Sequence, residues 1–112
     1  MFLFRGGDTH IDNAPDSTSA KDYIQTWMIW MQGLAEKGIL VGGDPLQLSG
    51  KLVSGSKKVV SDGPYVEGKE IVGGYLIVNA KDINDAVEIS KGCPIFNEDG
   101  KLEVRPIQKM EV

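Results

Sequence analysis

The chain predicts an α+β sandwich: a split β-α-β arrangement with two helices on one face of an antiparallel sheet. Three observations carry that expectation. Period-two alternation opens the chain at residues 1–5 and closes it at residues 102–107. Two stretches of helical periodicity fall between strand-like runs, giving the order β-α-β(β)-β-α-β. The chain has 112 residues, 41% hydrophobic and 25% charged, which suits one soluble domain with one core and no metal or disulfide staple.

In the first strand, alternation sets Phe2 and Phe4 on one face and Leu3 and Arg5 on the other. A polar loop follows, with Asp8, His10 and Asp12 spaced by two. Extended, these side chains would share a face and could hold a metal. They lack the central glycine and terminal glutamate of a calcium loop, so no metal is assigned. Nothing fixes a partner that would make His10 a general base. Ser17 or Ser19 caps the first helix, the latter with Asp22 three residues on, and the helix runs to about Lys37 before Gly38. Its predicted buried stripe is Ala20, Ile24, Trp27, Met28, Met31, Leu34 and Ala35. Tyr23 and Trp30 lie on the shoulder, with Ile29 opposite. Trp27 and Met31 read as core, whereas Trp30 is a candidate pocket wall or subunit contact.

Residues 39–43 read as a short strand ending at Asp44-Pro45, and residues 46–53 as a second strand bent or split at Gly50. Gly50 to Lys57 is a near miss to a phosphate-binding loop. Serine intrudes before the lysine and no helix follows, so that reading is rejected. Lys57 and Lys58 line a hairpin leading through Val59, Val60 and Ser61 to a turn at Asp62-Gly63-Pro64. Glu67, Lys69 and Glu70 form a solvated run. The strand over residues 71–80 puts Val72, Gly74, Leu76, Val78 and Ala80 on one face and Gly73, Tyr75, Ile77 and Asn79 on the other. Its paired glycines, Gly73 and Gly74, signal a bulge or a close backbone approach. Asp82 caps the second helix, which buries Ile83, Ala86, Val87 and Ser90 and ends at Gly92 as a left-handed cap. Cys93 reads as a small buried hydrophobe rather than a nucleophile. Residues 97–100 form a turn, and in the last strand Leu102 and Val104 oppose Glu103, Arg105 and Ile107.

The stretch Asp62-Gly63-Pro64-Tyr65-Val66-Glu67-Gly68-Lys69-Glu70 resembles the signature of the YCII-related family, in the branch called DGPF proteins, with Tyr65 where Phe is usual. Arg5-Gly6-Gly7, the Trp27 to Met31 run, Gly42-Gly43-Asp44-Pro45-Leu46 and Glu103-Val104-Arg105-Pro106-Ile107 fit the same pattern in order. The resemblance implies a ferredoxin-like βαββαβ protomer of the dimeric α+β barrel superfamily, and therefore a homodimer. It implies no particular activity. The His–Asp pair associated with the YCII type does not carry over unless His10 substitutes, because the first helix and the second half of the chain have no histidine.

A net charge of −4 disfavours nucleic-acid binding, which requires a basic face. One cysteine makes no intrachain disulfide, and Met1-Phe2-Leu3-Phe4 is too short to span a membrane. The expectation is a bacterial-type cytoplasmic protein, with no cofactor assigned. Alternation sends Arg5, Tyr75, Asn79 and Arg105 to the sheet face without helices, beside Leu3, Ile77 and Ile107. A second protomer covering that face would enclose a cavity holding two arginines per subunit, which suits a small anionic molecule. The candidate binding residues are Arg5, Trp30, Tyr65, Tyr75 and Arg105. The arginines equally could pair with Asp62, Asp44 or Glu103 within the fold. Asp62 is the candidate general base, although a turn-initiating aspartate also bonds its own turn. Three readings follow: an anion-binding homodimer, a non-catalytic regulatory or binding module, and a lyase- or isomerase-like enzyme using Asp62.

Overall fold

The computed structural model describes residues 1–6, 18–47, 49–63 and 71–110. In chain order the elements are β1 (Phe2–Arg5), α1 (Thr18–Glu36), β2 (Leu40–Pro45), β3 (Gly50–Ser54), β4 (Val59–Gly63), β5 (Val72–Val78), α2 (Ile83–Ser90), a 3-10 helix (Pro94–Glu98) and β6 (Lys101–Val104). The expectations placed on Asp8, His10, Asp12, Ser17, Tyr65 and residues 67–70 lie outside the described residues.

Four strands form one antiparallel sheet in the order β2-β5-β1-β6. The last strand lies beside the first, and the first beside the strand that follows the hairpin, so the split β-α-β expectation holds. β3 and β4 pair separately as a hairpin inserted between β2 and β5. The architecture is a ferredoxin-like α+β sandwich carrying that insertion. Its sheet is open within one chain, with β2 and β6 at the edges.

The core follows from the pleat. Phe2 is fully buried and Phe4 and Leu76 nearly so, while Leu3, Arg5, Tyr75 and Ile77 on the other face are only half-buried. Trp27, Trp30 and Met31 from α1 and Ala86 and Ile89 from α2 pack against this layer, with Val78, Leu102 and Val104 from the sheet. Both helices therefore cover the same face. Burying one such side chain contributes about 1.5–3 kcal/mol, so this layer supplies most of the cohesion. Phe4 meets Trp27 edge to face at 4.9 Å between ring centroids.

α1 ends as its sequence predicts. Gly38 takes φ +72°, and the Ile39 N–H donates to the Leu34 carbonyl at 2.9 Å. Its start and its facing differ from expectation. The helix begins at Thr18, so Ser19 lies inside it rather than at its cap. Met28 is 60% exposed and Ala35 is exposed, whereas Tyr23 and Trp30 turn inward. The helix is rotated toward its aromatic shoulder because the two indoles, with centroids 5.9 Å apart, fill the space above Phe4. In α2, Asp82 caps as predicted by accepting from the Asp85 N–H at 2.8 Å. Ala86 and Ser90 are buried, but Ile83 and Val87 are largely exposed. Gly92 is not a left-handed cap, since Lys91 closes the helix in right-handed geometry. A side chain at Gly92 would instead crowd the Trp30 indole, with a Cβ 3.2 Å from its Nε1.

The Gly73-Gly74 signal resolves as a bulge: Phe4 pairs with Gly74 and Arg5 with Val72, leaving Gly73 unpaired. Gly74 also allows close approach, since a Cβ there would lie 3.1 Å from the Asp44 carbonyl oxygen. Asp62 and Gly63, expected in a turn, are strand residues. Both residues extend β4, pairing with Lys51 and Gly50, because the ladder with β3 continues to its end. The 3-10 helix was not foreseen. Asp99 closes it at φ 56°, and it places Ile95, fully buried, in the core.

Two stability measurements check this packing. A methyl at Gly100 would stand 2.3 Å from Ile95 Cγ1, whereas one at Gly50 meets nothing within 4 Å. Gly100→Ala is expected to destabilise by about 1–3 kcal/mol in urea unfolding, and Gly50→Ala by well under half as much. Burial pushes the Cys93 thiol up to about 12 from its ordinary 9.0. A raised thiol pKa contributes stability that is complete below the unfolded value and disappears as pH rises toward the folded one. Unfolding free energy should therefore fall by about 1.4 kcal/mol per pH unit above pH 9, with a shallower fall in Cys93→Ala.

Candidate functional site

The helix-free face is built from alternate residues of β5, β1 and β6. Leu3 is flanked by Tyr75 across one ladder and by Glu103 across the other. Arg5 comes next along β1, and its guanidinium donates to Glu103 Oε1 from Nη2 at 3.1 Å and from Nε at 3.3 Å. Arg105 approaches the other oxygen of the same carboxylate, Nε to Oε2 at 3.8 Å. Glu103 is thus shared by the two arginines, a pairing left open in the sequence. The Arg105 backbone is clamped as well: its N–H donates to the Met1 carbonyl at 2.9 Å, and the Met1 ammonium donates to its carbonyl at 2.7 Å. Partial burial lowers the pKa of that ammonium.

On the β2 side of the same face, the Tyr75 hydroxyl donates to Asp44 Oδ2 at 3.2 Å, the two residues being register partners. The face therefore carries a carboxylate at the β2 edge and two guanidiniums toward β6. Of the predicted site residues, the structure brings Arg5, Arg105 and Tyr75 onto one face. Trp30 is on the other side of the sheet, against the core. Asp62 is on the hairpin, where its carboxylate bonds Lys51 Nζ, its register partner, with the aspartate side chain 88% exposed.

A cavity of about 300 Å³ opens on the helix side, between the first half of α1 and the end of the sheet where β2 stops and β5 begins. Its floor includes Phe4, Gly74 and Leu76, and its roof Tyr23, Trp27 and Met28. Tyr75 borders it, but Arg5, Trp30, Asp62 and Arg105 do not. Sequence reasoning missed this site because it assigned Met28 to the core and sought the pocket on the other face. The usable signal was Gly73-Gly74 opposite a helix segment rich in large apolar residues.

Among the described residues, no group of three or more histidine, cysteine, aspartate or glutamate side chains is placed to hold a metal ion. No helix among them is long and apolar enough to cross a membrane. The Cys93 thiol, buried and with its pKa raised, stays protonated at neutral pH.

No curated protein matches the chain closely enough to count as similar. The family model for the YCII-related domain matches residues 9–111. That span takes in both helices, the hairpin, the bulged strand and the Glu103–Arg105 segment, so the chain belongs to the YCII-related family.

Proposed function

We propose that this YCII-related domain, of the DGPF branch, is a homodimeric small-molecule binding protein of the cytoplasm. Two copies meet through their helix-free faces, and Arg5 and Arg105 hold a small anion there. One observation carries the reading: the protomer leaves too much of itself uncovered. Its accessible surface is 8156 Å². A compact monomer of 12.2 kDa exposes about 6,000 Å². Its radius of gyration is 15.7 Å, against about 13 Å for a compact chain of this length. The molecule is a slab, 46 × 45 × 19 Å, with helices on one side only. The excess area is ample for a standard interface, which takes about 800 Å² from each partner.

The occupant that fits the face is the face itself. A two-fold axis running along the strands sets β2 of one copy against β6 of the other, so Asp44 meets Arg5 and Arg105 of its mate, twice over. Leu3, Ile77 and Tyr75 supply the apolar centre. The two sheets together form the facing layers of a dimeric α+β barrel. The planar guanidinium of Arg105, with its side chain 66% exposed, suits a carboxylate or phosphate bound bidentately.

Sedimentation equilibrium should give twice the protomer mass. Leu3→Lys, which places a charge at the centre of the face, should give a folded monomer with unchanged far-ultraviolet dichroism. A monomeric wild type at about 50 μM would remove the dimer. For the anion, millimolar citrate, phosphate or pyruvate should raise the melting temperature of wild type and leave Arg105→Ala unmoved. Equal stabilisation of both proteins would dissociate the arginines from the ligand.

A further inference from the structure

We infer that the cavity beneath α1 is a second binding site, complete within one protomer, for an uncharged molecule of one or two fused rings. It is distinct from the anion site proposed for the helix-free face, because the sheet lies between them.

The space is built by the backbone. At this end of the sheet β2 and β5 approach so closely that Gly43 has no room for a side chain and Gly74 could take one only if its neighbours gave way. A Cβ on Gly43 would lie 2.3 Å from the Tyr75 carbonyl oxygen, and one on Gly74 would lie 3.3 Å from Pro45 Cα. Gly74 pairs with Phe4, on the face that looks toward α1. Where a sheet normally sends a side chain up to meet the helix, this one sends none. The helix cannot sink into the gap, because Trp27 rests edge-on against Phe4 at 4.9 Å and 86°. The result is a cavity held open from below by glycine and propped by an aromatic contact.

The lining selects the guest. Among its described residues the side chains of Phe4, Tyr23, Ile24, Trp27, Met28 and Met31 are apolar or aromatic. Among the described residues at the border Asp44 is the one that carries a charge, and it is committed to Tyr75 on the opposite face. An ion entering such walls would lose its hydration with nothing to replace it. Aromatic rings fit the walls better than chains do, since Phe4, Trp27 and Tyr23 stand edge-on to one another in sequence, with Tyr23 and Trp27 centroids 6.2 Å apart. They leave ring faces and edges available for offset or T-shaped packing. Volume sets the size. A dry apolar cavity of about 150 Å³ accepts benzene, so about 300 Å³ accommodates a fused bicycle. Met28, 60% exposed and part of the lining, stands at the mouth.

The test is a calorimetric titration of the full chain with three naphthalenes of one shape: 1-naphthalenemethanol, 1-naphthoate and 1-naphthylmethylamine. The alcohol should bind with a negative heat-capacity change, and both ions at least roughly tenfold more weakly. Met28→Trp, which fills the mouth from an exposed position, should weaken the alcohol by a similar factor. Arg105→Ala and Leu3→Lys should bind it as wild type does, which separates this site from the helix-free face. Naphthoate binding as tightly as the alcohol, no heat from any of the three, or unchanged affinity in Met28→Trp would each overturn the inference.

Discussion

Everything in this protomer depends on four residues of β1. The strand is one of the two inner strands of the four-stranded sheet, paired with β5 on one side and β6 on the other. Its pleat sends Phe2 and Phe4 into the core and Leu3 and Arg5 out. Because side-chain direction has a period of two, a slip of one residue would exchange the core for the open face. The penalty for that exchange, with Phe2 fully buried and Arg5 paired to Glu103, fixes the register of three strands together.

The same alternation divides the molecule chemically. On the helix side, apolar side chains meet α1 and α2, and the buried Ser90 hydroxyl donates to the Val87 carbonyl at 2.6 Å. On the open side, charge is arranged rather than excluded. Asp44 sits toward one edge, and two guanidiniums around one carboxylate sit toward the other. A face of that kind has no reason to fold inward, and its mixture of Leu3, Tyr75 and Ile77 with paired charges suits contact with a second surface more than with water.

Glycine does at the sheet end what aromatics do in the middle. Gly73 bulges, Gly74 and Gly43 permit β2 and β5 to approach, and the missing side chains leave a gap beneath α1. The hairpin of β3 and β4 departs from this region as a largely exposed arm. Val53, Val59 and Val60 point outward along it, and Lys51 is joined to Asp62. Asp62, where the most recognisable segment of the sequence begins, is exposed on that arm.

Strand identity, strand order and the sheet's two faces were legible in the sequence, since alternation and turn chemistry act over a few residues; the exception is Val72, expected beside Leu76 but set opposite Arg5 by the bulge. The caps at Gly38 and Asp82, the bulge at Gly73 and the buried Cys93 were legible for the same reason. The tertiary structure alone decided the rotation of α1, which turns Trp30 inward and Met28 out. A helix stripe about 100° wide can be satisfied at several angles, and the contact of Trp27 with Phe4 selects one of them. It alone decided that Glu103 serves both arginines, because residues about a hundred positions apart meet only once β6 has docked on β1. The cavity belongs with these. Glycines mark where side chains are missing, but a void exists only between two surfaces, and the second surface here is a helix whose facing the linear pattern leaves undetermined.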